Sequence, residues 1–215
     1  MKPHLLRDDQ GFTLPEMLVT IMVMILMLFA LYSIFDMSLK VFSYGNDKVE
    51  AAENARLGLE RMEREIRAAY PYDRNASKTY VLLDPSNPTQ AATSLSANQI
   101  TFGNDLNGDK KLSCPISLTD TRCEFITYKV STSSPYTLLR INTATPNTSA
   151  GESVVRYVNG SSGLTFTYLT SDSSGNLVAT SVPSEVKVVR ARLQISKDGR
   201  VQTLTTDINL RNRNF

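Results

Sequence analysis

The chain has 215 residues, enough for one ordinary domain and a membrane anchor. Its formal net charge of +2 is nearly neutral, so composition gives no indication of binding to nucleic acid or to an anionic membrane surface. The single histidine is His4, which excludes imidazole-based acid–base catalysis and histidine metal ligands from the rest of the chain.

The first residues, 1–11, form a short polar leader in which Lys2 and Arg7 are balanced by two aspartates. An apolar run without any charge follows from Met17 to Phe35, about long enough to cross a bilayer as a helix. The basic residues of the leader favour a cytoplasmic N-terminus, with the rest of the chain outside. A secretory signal has its small-residue cleavage site after the apolar core, whereas Gly11 stands before it. An uncleaved signal anchor, in which Gly11 has no role, fits the same topology.

One carboxylate, Glu16, stands at the entrance of the apolar run, directly after Pro15. An acidic side chain at this position is costly unless it has a partner. Pro15 does not oppose a helix here, because the N–H that proline lacks would have no intrahelical acceptor at a helix start. The position of Glu16 therefore indicates a function for its charge.

The helix is predicted to continue over 36–70, because the first proline after the apolar run is in Tyr70-Pro71. Apolar residues recur there at alternating spacings of three and four, which predicts one buried stripe. The stripe consists of Ala52, Ala55, Leu59, Met62, Ile66 and Ala69. Charged residues fill the other faces, with pairs such as Glu60–Arg64, and we interpret them as a solvated helix surface. The whole helix would have roughly 55 residues and measure about 80 Å if straight. Gly45 and Gly58 are its candidate weak points.

Residues 71–215 are typical of β structure, with short runs rich in β-branched and aromatic residues between polar turns. The predicted strands are Thr79–Leu83, Gln99–Gly103, Glu124–Ser131, Tyr136–Asn142, Ser153–Val158, Leu164–Leu169, Val186–Ser196 and Val201–Leu210. Asp198-Gly199 is a hairpin signal between the last two, and alternate residues from Val189 to Ile195 predict one buried face. We therefore predict an α+β fold, in which a long N-terminal helix packs its amphipathic half on an antiparallel β-sheet head domain.

The most site-like cluster of the head is a loop in which Asp105, Asn107 and Asp109 stand at alternate positions. Three oxygen-bearing side chains so spaced can converge on one calcium ion, as in the first half of an EF-hand-type loop. Lys110 stands where that loop requires glycine, and Ile116 where it requires a bidentate carboxylate. The alternative is an Asx-rich β-turn that needs no metal.

Cys114 and Cys123 are the only cysteines, and they enclose a short loop. Outside the cytoplasm such a pair predicts a structural disulfide, whereas a zinc site or a catalytic dyad would need histidine or further thiols. The serines of the head lie in no nucleophile-elbow motif, and there is no glycine-rich phosphate loop. The sequence therefore predicts a protein that is not an enzyme and requires no cofactor.

The run Gly11-Phe12-Thr13-Leu14-x-Glu16 before an uninterrupted apolar segment resembles the class III signal of type IV pilins and type II secretion pseudopilins. In that family a membrane prepilin peptidase cuts after the glycine and methylates the new N-terminus. The resemblance implies cleavage after Gly11 and N-methylation of Phe12, and it implies that Glu16 acts in filament assembly. Pro15 departs from the family pattern, whose commonest members have an aliphatic residue there.

Weaker similarities, in the charged segment Leu59–Arg67, the strand Ile126–Tyr128 and the closing Leu210–Asn212, point to the minor pilin or J-type pseudopilin branch. The resemblance implies a pilin fold with a leader (1–11), a transmembrane and filament-core helix (12–35), an amphipathic helix (36–70) and an extracytoplasmic head (71–215). It also implies other pilins, the prepilin peptidase and an inner-membrane assembly machinery as partners.

The same resemblance places the chain in the cytoplasmic membrane, with a single pass, and later in a pilus or pseudopilus at the cell surface or in the periplasm. Such a filament could serve secretion, motility, adhesion or DNA uptake. Arginines at 190, 192, 211 and 213 are scattered and are interpreted as a solvated sheet face, so they give no firm indication of nucleic-acid binding. The alternative function is a signal-anchored extracytoplasmic binding or enzyme domain that enters no filament.

Overall fold

The computed structural model describes residues 11–70, 81–86, 90–106, 108, 112–113, 123–142 and 151–210. Within these ranges the chain has an α+β layout, with one long N-terminal helix and two antiparallel sheets. It divides into two compact units, Met1–Asp47 and Lys48–Phe215. The helix contributes residues to both units.

Helix α1 runs from Leu14 to Arg67 and has 54 residues. It begins where the carbonyl of Thr13 accepts hydrogen bonds from the amides of Glu16 and Met17, both at 3.1 Å. It ends before Tyr70, where the sequence predicted its end, and the Tyr70 amide instead donates to the Gly103 carbonyl at 2.7 Å. The last residues before Pro71 therefore join the sheet region and leave the helix.

The first sheet has four strands in the order β1-β2-β3-β4, and every neighbouring pair is antiparallel. Its strands are β1 (Gln99–Gly103), β2 (Phe125–Val130), β3 (Leu138–Asn142) and β4 (Glu152–Val155). The second sheet has the order β6-β5-β7-β8 and is also antiparallel. Its strands are β5 (Leu164–Ser171), β6 (Leu177–Ala179), β7 (Val188–Lys197) and β8 (Arg200–Asn209), with a 3-10 turn, η1 (Pro183–Glu185), before β7.

The prediction of a single sheet is therefore wrong in detail, although the antiparallel pairing and most strand positions are confirmed. The division occurs after β4, where Tyr157 and Gly160 adopt positive φ values of 62° and 74°. Positive φ interrupts the regular extended backbone here. The connection contacts β7 through the isolated bridge Val158↔Ile195 and through single backbone hydrogen bonds, such as that from the Ser196 amide to the Tyr157 carbonyl at 2.7 Å, but it forms no strand of the second sheet. The sequence also gave no signal for β6, because its three exposed residues are too few to show a period of two.

The predicted hairpin is confirmed between β7 and β8. Asp198 and Gly199 both have positive φ, 54° and 77°, as a two-residue type I′ turn requires. The register runs without a shift from Lys197↔Arg200 to Val188↔Asn209. The alternating residues predicted to face inwards are all buried, namely Val189, Ala191, Leu193 and Ile195.

The main core joins the second half of α1 to both sheets. Of the predicted stripe, Ala55, Leu59, Met62, Ile66 and Ala69 are buried, and Ala52 is half-buried. Ala51 and Gly58 complete the buried face of the helix. A Cβ atom built on Gly58 would lie 2.0 Å from Cγ2 of Val155, so the helix approaches β4 as closely as a glycine allows. A smaller apolar cluster, around Leu83 and Phe125, is separate from the main core.

Candidate functional site

The residues of the leader motif that the structure describes lie at the start of α1. Gly11, Phe12 and Glu16 are all exposed, and a Cβ on Gly11 would meet nothing within 4 Å. Glu16 lies in the first helical turn, where the positive end of the helix dipole stabilises a carboxylate. This placement leaves the peptide bond after Gly11 accessible and displays the carboxylate close to it.

The helix is exposed and apolar beyond Glu16. From Met17 to Phe35 no residue is charged, and none is buried. Phe29, for example, is 72% exposed. By length and composition this segment could cross a membrane, with a mean hydropathy of 2.6 over its most apolar window. An exposed run of apolar side chains this long requires an apolar environment that the rest of the chain does not provide.

The apolar segment ends at an ion pair. Lys40 Nζ lies 2.7 Å from Oδ2 of Asp36, at i,i+4 spacing on the exposed surface of the helix. The first acidic side chain after Glu16 is therefore neutralised locally. Glu16 itself has no neighbouring basic residue in sequence within one helical turn, so the two carboxylates that flank the apolar run differ in their surroundings.

An ionic cluster fixes the second half of the helix to the first sheet. Glu65 of α1 lies 2.8 Å from Nε of Arg140 on β3, and their side chains are only 16% and 13% exposed. Tyr128 on β2 donates its hydroxyl to Glu65 at 2.9 Å. Arg61, one turn earlier, binds Glu152 on β4 through two hydrogen bonds of 2.6 and 2.8 Å. The cluster thus connects one helix to three neighbouring strands.

Burial and charge shift the pKa values within this cluster. Burial, and then the Glu65 carboxylate, raise the pKa of Tyr128 far above its ordinary value, so the phenol remains a hydrogen-bond donor at neutral pH. The hydrogen bonds from Arg61 lower the pKa of Glu152, and the same contact raises the pKa of Arg61. These pKa shifts follow from burial and from contacts within the cluster, because Tyr128, Glu152 and Arg61 each form a hydrogen bond with another of its residues.

The interpretation of the helix charges as a solvated surface is therefore wrong for one side of the helix. Glu63 accepts a hydrogen bond from Thr206 of β8 at 2.9 Å, in addition to its ion pair with Arg67. Exposed pairs do occur on the opposite side, where Arg56 and Glu60 lie 3.9 Å apart. The sequence pattern could not separate the two sides, because the acceptors and donors lie on distant strands.

The proposed calcium loop is only partly visible, since Asn107 and Asp109 lie outside the described residues. Asp105 Oδ1 accepts a hydrogen bond of 2.6 Å from the amide of Gly108, whose φ is 79°. This is the turn geometry of the alternative interpretation. Within the part of the chain that the structure describes, no group of three or more His, Cys, Asp or Glu residues could hold a metal ion.

Glu124 is a buried charged residue of this region that the sequence did not indicate. Its side chain is buried, and its carboxylate accepts hydrogen bonds from the amides of Leu106, at 3.1 Å, and of Ser113, at 2.8 Å. The neighbouring Cys123 is disulfide-bonded, whereas Cys114 lies outside the described residues, so their pairing stays a prediction. Glu124 therefore fastens the described part of the loop to the start of β2.

Comparisons with protein-family models, with curated proteins and with solved structures return no match to this chain. The functional assignment therefore depends on two features of the chain itself. The first is an exposed, uncharged helical segment with a carboxylate at its entrance. The second is a β-rich unit that is fixed to the remainder of the same helix by apolar packing and by the ionic cluster.

Proposed function

We propose that this chain is a minor pilin or pseudopilin, a structural subunit of a type IV pilus or a type II secretion pseudopilus. The observation that carries the proposal is the continuity of α1. One helix begins at the leader motif, passes through the charge-free segment and becomes a core element of the β-rich unit. A cleavable signal or a simple tether has no need of a helix that the head domain itself contains.

Under this proposal, the apolar half of α1 is removed from water in two successive environments. Fully burying one large apolar side chain is worth about 1.5–3 kcal/mol, so the exposed run cannot remain in water. The bilayer covers it first, with the N-terminus in the cytoplasm and the head outside. Neighbouring helices cover it later in the filament core, which has no lipid.

Glu16 obtains its partner in the second environment. After cleavage behind Gly11, the N-methylated amino group of Phe12 on a neighbouring subunit can pair with the Glu16 carboxylate. That pair offsets the burial of both charges and sets the axial register between subunits. Loss of one partner from a buried pair costs about 3–5 kcal/mol, which is enough to exclude a subunit from a filament.

The partners follow from this sequence of events. A membrane prepilin peptidase removes the leader and methylates Phe12, an inner-membrane assembly machinery extracts the subunit, and other pilins surround it. The head then occupies the cell surface or the periplasm. The packing of the second half of α1 on antiparallel sheets supports the proposal of a pilin fold for this head.

N-terminal analysis of the protein purified from its native membrane tests the proposal. The expected mature chain begins at N-methylated Phe12, and the Gly11→Leu variant keeps its full mass. An intact Met1, or a cut near Ala30, would contradict the proposal and would favour a signal-anchored binding or enzyme domain. The Gly45→Ala variant is the matched control, because its glycine lies on the same helix in open space and outside the motif.

A further inference from the structure

The solvent face of the second sheet contains a shallow polar groove of about 870 Å³. Arginine, aspartate and threonine side chains line it, and no aromatic or large apolar side chain is among its lining residues. Its central arginines are Arg190 and Arg192, both exposed on β7. The proposed filament function does not use this face.

Two adjacent rows of side chains cross the groove from β5 through β7 to β8. The strand registers place Thr167, Arg190 and Asp207 in one row. They place Thr165, Arg192 and Thr205 in the next row, two residues along each strand. The rows are identical in residue type except at β8, where one has an aspartate and the other a threonine.

The first row shows what an arginine at this position binds. Arg190 holds Asp207 in a two-pronged contact, with Nε to Oδ1 at 2.7 Å and Nη2 to Oδ2 at 2.8 Å. The contact lowers the pKa of Asp207, so its carboxylate stays charged. The guanidinium fork matches the planar pair of carboxylate oxygens.

In the second row, Arg192 has the same guanidinium group, but its neighbour on β8 is Thr205 and not a carboxylate. Thr205 offers Arg192 a hydroxyl where Asp207 offers Arg190 two charged oxygens. Among the residues that the structure describes, Arg192 forms no ion pair. The two flanking threonines, Thr165 and Thr205, add hydroxyl donors and acceptors on either side of its guanidinium.

We propose that Arg192, framed by Thr165 and Thr205, binds the carboxylate of a uronic-acid residue in an acidic polysaccharide. The carboxylate takes the place that Asp207 fills in the neighbouring row, and the threonine hydroxyls face the hydroxyls of the sugar. A protein partner is disfavoured because interface cores are enriched in aromatic and apolar side chains, which line no part of this groove. A nucleic acid is disfavoured because one unpaired arginine gives too little positive charge for a phosphate backbone.

Isothermal titration of the full chain in detergent tests the proposal with an oligogalacturonate as the probe. Binding is expected for the free acid and not for the same oligomer with methyl-esterified carboxylates. Arg192→Gln should weaken binding at least tenfold, because a charge-assisted pair is lost. Arg56→Gln, on the exposed side of the helix, is the matched control and should bind like the wild type.

Two further variants use the neighbouring row as a template. Thr205→Asp installs the internal carboxylate and should abolish binding, whereas Asp207→Asn releases Arg190 and should strengthen binding several-fold. Both side chains are exposed, so unchanged thermal unfolding can show that the fold is intact. Equal binding of the esterified oligomer, or an Arg192→Gln variant that binds normally, would overturn the proposal. Tighter binding of a polyglutamate peptide or of an oligothymidine would also overturn it, because the occupant would then be a protein or a nucleic acid.

Discussion

Gly58 is the position where the packing of helix on sheet can be tested most directly. A Cβ atom there would lie 2.0 Å from Cγ2 of Val155 and 3.3 Å from Cγ1 of Val154. Real Cβ atoms do not approach so closely, so one of the two elements must move in Gly58→Ala. Val155 is fully buried and β-branched, so it has little rotamer freedom to withdraw.

Two opposing effects determine how much Gly58→Ala changes the free energy of unfolding. Overpacking one methyl group in a closed core costs about 1–3 kcal/mol. Replacing glycine by alanine within a helix stabilises the folded state by up to about 1 kcal/mol, because alanine has the higher helix propensity. We therefore expect a net destabilisation of about 1–2 kcal/mol, which for a protein of this size lowers the midpoint of thermal unfolding by roughly 2–8 °C.

The assay is thermal unfolding of the full chain in detergent, followed by near-ultraviolet circular dichroism of its tyrosines, since the protein has no tryptophan. Gly45→Ala is the control for helix propensity, because a Cβ on Gly45 would meet nothing within 4 Å. That variant should be as stable as the wild type or more so. Gly58→Ala combined with Val155→Ala should show a favourable coupling energy, because the smaller side chain makes room for the new methyl group. A Gly58→Ala variant as stable as the wild type would refute the close contact between α1 and β4.

Three further predictions concern charged residues. Arg140→Met should destabilise the head by about 3 kcal/mol in urea unfolding, since it leaves Glu65 buried without its closest cation, whereas Arg56→Gln should change stability by less than about 0.5 kcal/mol. Glu152 has a lowered pKa in the folded state, so its contribution to stability is present above its ordinary pKa of 4.5 and is lost as the pH falls through the lower folded value. The urea midpoint should therefore fall with acidification in this range, and less steeply in Glu152→Gln. Glu16→Ala should be cleaved normally and yet fail to enter filaments, as judged by immunoblots of sheared filament fractions; normal entry would contradict a role for the carboxylate in assembly.

The local features of the fold were predictable from sequence. The hairpin at Asp198-Gly199 and the buried alternation along β7 follow from turn chemistry and from a period of two, which a few consecutive residues reveal. The buried stripe of α1 was predicted with one shortcoming. Gly58 counted as a weak point in the helix, although the structure uses it as a site of close approach to β4. The periodicity of apolar side chains cannot identify a glycine that packs closely because it has no side chain.

The non-local features were not predictable. Glu65 and Arg140 are separated by 75 positions, and Arg61 and Glu152 by 91. No pattern along the helix distinguishes these two residues from the exposed charges beside them. The division into two sheets coincides with positive φ at Tyr157, a residue type that rarely adopts this conformation and so gives no signal in sequence.

The two halves of α1 differ in whether their apolar and charged side chains find partners within the described chain. The second half buries its stripe against both sheets, and it places Glu65 among partners that neutralise it. The first half buries nothing, and it places Glu16 at the edge of an uncharged segment. A carboxylate can be left in such a position when its partner arrives with assembly, because the cost of burying it is then incurred only in the complex that also supplies the compensating charge. The contrast between Glu65, which has partners within the fold, and Glu16, which lies among uncharged residues, is therefore the physical basis for the proposal that the first half of the helix forms an interface.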